Sequence, residues 1–180
     1  MSAFHKTALF IDGPNLHYTA KALGFDIDFK RLLAEFARRG TLVRAYYYTA
    51  IFEDAGYSTT RPLTDWLSYN GFTVVIKSAK EHNDGEGRRA FKRNIGVELS
   101  VDAIEIAKRV DQIVLFSGDG DFRRLVEAIQ RGGRRVTVVS SLRTSAPMIA
   151  DELRRQADEF LELDNLRAVI GRTLASDAAQ

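Results

Sequence analysis

A chain of 180 residues, 45% hydrophobic and 28% charged, has the length and apolar content for one globular core and leaves little for a second. The formal net charge of +2 neither demands nor excludes a nucleic-acid partner, and it makes any basic surface local rather than global. The absence of cysteine excludes disulfides, thiolate zinc sites and cysteine nucleophiles together, and three histidines leave little for a histidine-built metal centre.

The N-terminus carries a short apolar run that stops at Asp12, unlike a signal peptide, and no apolar stretch approaches the ~20 residues that span a bilayer. The expected address is the cytoplasm. In chain order, Thr7–Ile11 reads as a buried strand and Leu16–Leu23 as a short helix. Asp28 caps a second helix that Gly40 ends, Leu42–Thr49 is a strand, and Thr60–Asn70 is a helix closed by Gly71. Phe72–Ser78 is a strand, and Ser78–Ile95 has loop composition and reads as a mobile functional loop. Val97–Val110 is helical, Gln112–Phe116 a strand, Asp121–Arg131 a helix, Arg135–Ser140 a strand and Ala146–Gln156 a helix. Phe160–Leu163 adds a short edge strand before a terminal helix.

Strands alternating with helices predict an α/β fold: a doubly wound, mainly parallel sheet of about five to six strands with helices on both faces. One domain over residues 1–180 is expected, with its core at about 7–163 and a C-terminal helix and tail at 164–180.

In such sheets ligands bind beyond the carboxyl ends of the strands, near the point where strand order reverses. Two strands end in acid there: the first runs into Asp12-Gly13-Pro14-Asn15, the fourth into Ser117-Gly118-Asp119-Gly120-Asp121. If the two strands are neighbours, Asp12, Asp119 and Asp121 converge. Crowded carboxylates raise one another's pKa unless a cation neutralises them, and hard oxygen ligands suit Mg²⁺ or Mn²⁺. Helix capping is the alternative for Asp119 or Asp121 and equally for Asn15, and an Asx turn is the alternative for Asp12. Gly118 and Gly120 would let a phosphate approach the backbone.

On the helix Val97–Val110, Glu98, Asp102 and Glu105 form one narrow stripe flanked by apolar residues on both sides, so the helix is expected to be well buried with only that stripe polar. Glu98 and Asp102 repel at i,i+4 by a few tenths of a kcal/mol, and a cation would reverse this. A solvated face is the alternative. Just upstream, Lys77, Lys80, Arg88, Arg89, Lys92 and Arg93 outnumber Glu81, Asp84 and Glu86, which would place phosphate-binding charge beside a metal site. A solvated loop is again the alternative. Tyr46-Tyr47-Tyr48 reads as strand aromatics packed against helices, with a base-stacking face as the other reading, and Trp66 reads as core.

Phe10-Ile11-Asp12-Gly13-Pro14-Asn15-Leu16 and Ser117-Gly118-Asp119-Gly120-Asp121-Phe122 resemble the two signatures of the NYN family, the LabA-like relatives of PIN-domain nucleases. The resemblance runs from about Ala8 to Phe160, and Val97–Ala103 matches the family's acidic helix. It implies a PIN-like Rossmannoid sheet and metal-dependent RNA cleavage. Asp12, Asp102, Asp119 and Asp121 would be the acidic catalytic and metal-site residues, with Asn15 and Ser117 in support. The pattern departs at Gly96, where many relatives carry Asp. Glu98 then substitutes as a ligand, or the site is one ligand short.

The function expected is a ribonuclease that hydrolyses RNA phosphodiesters with Mg²⁺ or Mn²⁺ on Asp12, Glu98, Asp102, Asp119 and Asp121, the RNA backbone lying on Arg88, Arg89, Lys92 and Arg93. An RNA-binding regulator with a weak or silent site is the alternative. A haloacid-dehalogenase phosphatase needs a second acid where Pro14 stands, and neither Gly-rich turn reads G-x-G-x-x-G for a dinucleotide. The apolar Phe160–Leu166 region could pair two chains as a homodimer.

Overall fold

The structure, a computed structural model, describes residues 5–52, 60–79, 82–83, 89–90 and 95–173. Six long strands run in chain order: β1 (Lys6–Asp12), β2 (Thr41–Phe52), β3 (Thr73–Ala79), β6 (Gln112–Phe116), β7 (Arg135–Ser140) and β8 (Glu159–Glu162). Two short strands, β4 (His82–Asn83) and β5 (Arg89–Ala90), stand between β3 and β6 and pair only with each other, antiparallel. The helices are α1 (Gly13–Leu23), α2 (Phe29–Arg39), α3 (Arg61–Tyr69), α4 (Gly96–Ala107), α5 (Arg123–Arg131), α6 (Asp151–Gln156) and α7 (Leu163–Ile170).

The long strands form one sheet in the order β3-β2-β1-β6-β7-β8, parallel at every pairing. The chain winds outward from β1 to β3, returns through α4 to the other side of β1, and winds outward again. This is the doubly wound order, and strand direction of travel reverses between β1 and β6. There Phe10 lies opposite Leu115 and Ile11 opposite Phe116, so the ends of both strands finish level and their following loops meet.

Both sheet faces are covered, which is why β1 reads as an unbroken apolar run rather than an alternating one. Ala8 and Phe10 point to one core with Ile113, Leu115, Val136 and Val138, beneath α4, α5 and α6. Leu9 and Ile11 point to the other with Val114 and Phe116, beneath α1, α2, α3 and α7. Each fully buried side chain of this kind is worth ~1.5–3 kcal/mol over its exposed state. Local signals set the helix ends. Asp28 accepts from the Arg31 backbone N–H at 3.0 Å, and the Arg31 guanidinium donates to the carbonyl oxygens of Ala168 and Gly171, tying α2 to the end of α7.

Several elements differ from the sequence expectation. α6 starts at Asp151, not Ala146, because the segment before it bonds elsewhere: Met148 N–H donates to Ser141 O at 3.0 Å and Ala150 N–H to Gly118 O at 2.9 Å. A 3₁₀ turn over Gly120–Phe122 precedes α5. The stretch read as loop contains β4 and β5. Helix α4 buries one face, Leu99, Ala103 and Ala107, while Val97, Val101 and Ile104 are 59%, 53% and 43% exposed, so it is not apolar-buried around its circumference. Trp66 is also substantially exposed, since α3 turns Thr64 and Leu67 inward instead. Among the described residues no helix is long and apolar enough to cross a membrane.

Candidate functional site

The site begins where β1 and β6 end. Asp12 is the last residue of β1 and the N-cap of α1. Its Oδ1 accepts from the Asn15 backbone N–H at 3.2 Å, and its Oδ2 accepts from the Ser117 hydroxyl at 2.9 Å. Ser117 Oγ in turn accepts from the Asp119 N–H at 3.2 Å, and Asn15 Oδ1 accepts from the Gly118 N–H at 3.0 Å. Asp12 thus serves as the cap, and Asn15 reaches across to the second loop. Asp119 Oδ1 accepts from the Asp121 N–H at 2.9 Å, capping the 3₁₀ turn, so the capping reading holds for Asp119 without removing its carboxylate from the surface.

Asp12 is only 8% exposed. Burial pushes its carboxyl above the usual value, bonds from Ser117 and Asn15 partly oppose this, and the neighbouring Asp119 charge pushes it up again. Asp119 and Asp121 are exposed. All three line one cleft of about 440 Å³, whose other wall is α4 through Gly96, Val97, Ser100 and Val101.

The acidic stripe of α4 faces elsewhere. Neither Glu98 nor Asp102 lines the cleft. With Leu99 and Ala103 against the sheet, helical geometry turns Glu98 and Asp102 over β2 and β3. Glu98 Oε1 pairs with Lys77 Nζ at 2.8 Å, which holds the Glu98 carboxyl below its usual range, while Glu98 Oε2 is buried without a hydrogen-bond partner. Asp102 Oδ2 accepts from the Tyr48 hydroxyl at 2.8 Å, and Tyr48 is fully buried. Burial first, and then the Asp102 carboxylate, drives the Tyr48 phenol pKa far up. Sequence reasoning placed Lys77 among phosphate-binding charges and Tyr48 among strand aromatics, and missed that they pair with Glu98 and Asp102. The available signal was that Tyr48 falls on β2 directly opposite Asp12, with Lys77 on β3, the next strand out.

The tyrosine run is largely core: Tyr47 and Tyr48 are buried, and Tyr46 stacks on Phe10 at 4.8 Å between ring centroids. Protein packing accounts for Gly118 and Gly120. A Cβ at Gly118 would run into the Met148 carbonyl oxygen, and one at Gly120 into the Glu152 carboxylate. The proposed backbone contacts Arg88, Lys92 and Arg93 lie outside the described residues. Arg89 stands on β5 opposite Asn83.

Among the described residues no group of three or more His, Asp or Glu side chains stands ready to enclose an ion. The donor set nonetheless suits Mg²⁺ or Mn²⁺. Mg²⁺ keeps several waters and is held by one or two carboxylates together with substrate phosphates, and Asp12 and Asp119 repel each other in the way a dication would relieve.

A doubly wound parallel sheet with carboxylates over its switch point defines a PIN-like α/β domain. The NYN domain model matches residues 6–164, and the chain belongs to the NYN domain family, a PIN-like nuclease family. It is 38% identical over 172 residues to the low amplitude and bright protein LabA of Synechococcus elongatus, covering 93% of this chain and 89% of that one. A solved protein of unknown function from Vibrio parahaemolyticus superposes with a TM-score of 0.74 at 29% identity, over 96% of this chain and 99% of that one.

Proposed function

We propose that the chain is a ribonuclease dependent on Mg²⁺ or Mn²⁺, in the cytoplasm, with its reaction centre in the cleft between the β1 and β6 loops. The carrying observation is that Asp12 and the Asp119–Asp121 pair, over a hundred residues apart, line one cleft, with the Asp12 carboxyl pushed above its usual range by burial and by Asp119. Asp12 and Asp119 would hold the dication, and Asp121 would reach it directly or through water. Bound there, the ion supplies Lewis acidity toward the scissile phosphodiester and its attacking water. The chain's own residues do the placing. Ser117 fixes one oxygen of Asp12, the Asn15 N–H fixes the other, and the Asn15 side chain locks the Gly118 backbone, so that the two acidic loops keep their separation. Arg88, Arg89, Lys92 and Arg93 would neutralise the RNA backbone.

Glu98 and Asp102, also expected as ligands, would act only after leaving Lys77 and Tyr48. That supports a second reading, an RNA-binding regulator with a silent site, and it is strengthened by Gly96, which lines the cleft without a side chain where the family resemblance implies an acid. One experiment separates them. Purified protein with Mn²⁺ is incubated with single-stranded RNA, with and without chelator, beside Asp12→Asn and Asp119→Asn. Cleavage that needs metal and both carboxylates supports the nuclease. RNA binding without product, unchanged by chelator, supports the regulator.

A further inference from the structure

A second depression flanks the first turn of α1. Asp12 and Pro14 line the acidic cleft, while Gly13, between them, lines a separate cavity of about 200 Å³ over the other core. Its walls are aromatic: Phe25, Phe29 and Tyr47, with Phe29 and Tyr47 in edge contact at 5.6 Å. Its rim is polar. Asp26, Arg172 and His17 all line it and all are exposed, and the Arg172 backbone N–H donates to Asp26 O at 2.9 Å, which joins the two segments that carry the carboxylate and the guanidinium.

Tyr47 is the telling residue. It is 4% exposed, it lines the cavity, and among the described residues nothing hydrogen-bonds its hydroxyl. The hydroxyl itself is not sealed from solvent, so it opens onto the cavity and can bond a molecule that enters. Burial, followed by the Asp12 charge, pushes its pKa up to about 12, so at neutral pH it keeps its proton and can both donate and accept. Gly13 makes room for it, since a Cβ there would stand 2.6 Å from the Tyr47 hydroxyl.

The volume falls below the roughly 300–1,000 Å³ of pockets for drug-sized molecules and suits a single heterocycle without its sugar. Ring faces to stack on and a few donors and acceptors at the edge are what recognition of an unstacked nucleobase requires. We propose that this cavity receives the base of a nucleotide adjoining the one whose phosphate enters the acidic cleft, its ring against Phe29 and Tyr47 and its polar edge on the Tyr47 hydroxyl, Asp26 and Arg172. This rests on the RNA reading of the cleft and adds a base-selecting subsite to it. Asp26 accepts but cannot donate when ionised, so guanine, adenine and cytosine, which offer an exocyclic amine, are favoured over uracil, whose one base donor is the ring N3–H between two carbonyl oxygens that the carboxylate repels.

The test is a calorimetric titration of the full chain with GMP, AMP, CMP and UMP in chelator, which keeps metal out of the cleft. Wild type binds the three amine-bearing nucleotides more tightly than UMP. Tyr47→Phe, which removes a hydroxyl bonded to none of the described residues, and Asp26→Ala, at an exposed position, each weaken binding about fivefold while unfolding at the wild-type urea midpoint. Absence of nucleotide binding, or binding unaffected by Tyr47→Phe and Asp26→Ala but lost in Asp119→Asn, overturns the proposal. Cleavage assays with Mn²⁺ report on the nuclease reading separately. If Asp26→Ala still cuts but the base preference beside the cut is unchanged, the subsite fails while the nuclease stands. If no protein cuts and the titrations hold, the nuclease fails while the subsite stands.

Discussion

Asn15 and Gly118, 103 residues apart, are joined by a single hydrogen bond from the Gly118 N–H to Asn15 Oδ1 at 3.0 Å, and it ties the loop after β1 to the loop after β6. Asn15→Ala leaves that part-buried N–H unpaired and should cost about 1–3 kcal/mol in urea unfolding. Asn15→Asp, which keeps an acceptor, should recover most of it. Equal destabilisation by the two would show that the bond is not what matters.

Asp12 gives a pH prediction. Its folded pKa is raised above the ordinary value of 3.8, so the folded state holds the proton more tightly than the unfolded chain. The stability this confers is complete below 3.8 and is lost as pH rises through the folded value. In metal-free buffer Asp12→Asn should therefore be more stable than wild type at pH 7, and the advantage should vanish toward pH 3.8. A variant less stable at pH 7 would refute the burial account.

Metal should reverse the sign. Mn²⁺ that binds the folded state alone at a hundredfold excess over Kd adds about 2.7 kcal/mol. Thermal melts should show the wild type rising with Mn²⁺ and Asp12→Asn and Asp119→Asn staying put. A rise of equal size in all three places the ion elsewhere.

Gly118→Ala drives a methyl into the Met148 carbonyl oxygen, and backbone must move on one side or the other. Overpacking of this kind costs about 1–3 kcal/mol, and chemical denaturation would reveal it. Gly133→Ala, with open space around it but φ of 78°, is the contrasting case in which strain rather than collision destabilises.

Tyr48→Phe removes the donor to Asp102 and should lower stability by about 1–2 kcal/mol. If Asp102 must leave Tyr48 to serve the cleft, the same variant should cut RNA faster with Mn²⁺, not slower. Reduced cleavage would mean that Tyr48 orients Asp102 for its task.

The strand ends were legible because β1 and β6 carry short apolar runs, Ala8–Ile11 and Ile113–Phe116, that acid follows at once or within three residues, and parallel topology then dictates where such acids go. Asp28 and its helix were legible for the same local reason. The orientation of α4 was not. Its apolar residues flank the acidic stripe on both sides, so periodicity alone admits two rotations about the axis, and only the packing of Leu99 and Ala103 selects one. The late start of α6 was hidden because the carbonyls of Ser141 and Gly118, which capture Met148 and Ala150, are near only in three dimensions.

The exposed flank of α4 gives the cleft walls of opposite character: Val97 and Val101 are water-averse on one side, and Asp119 and Asp121 are ionic on the other. A polyanion threading such a gutter has one comfortable roll about its own axis, with bases and sugars toward the valines and phosphates toward the acids and their counterion. Which side of the strand faces which wall would then be set by greasiness as much as by charge, and swapping Val101 for a polar residue would loosen that alignment without touching a single carboxylate.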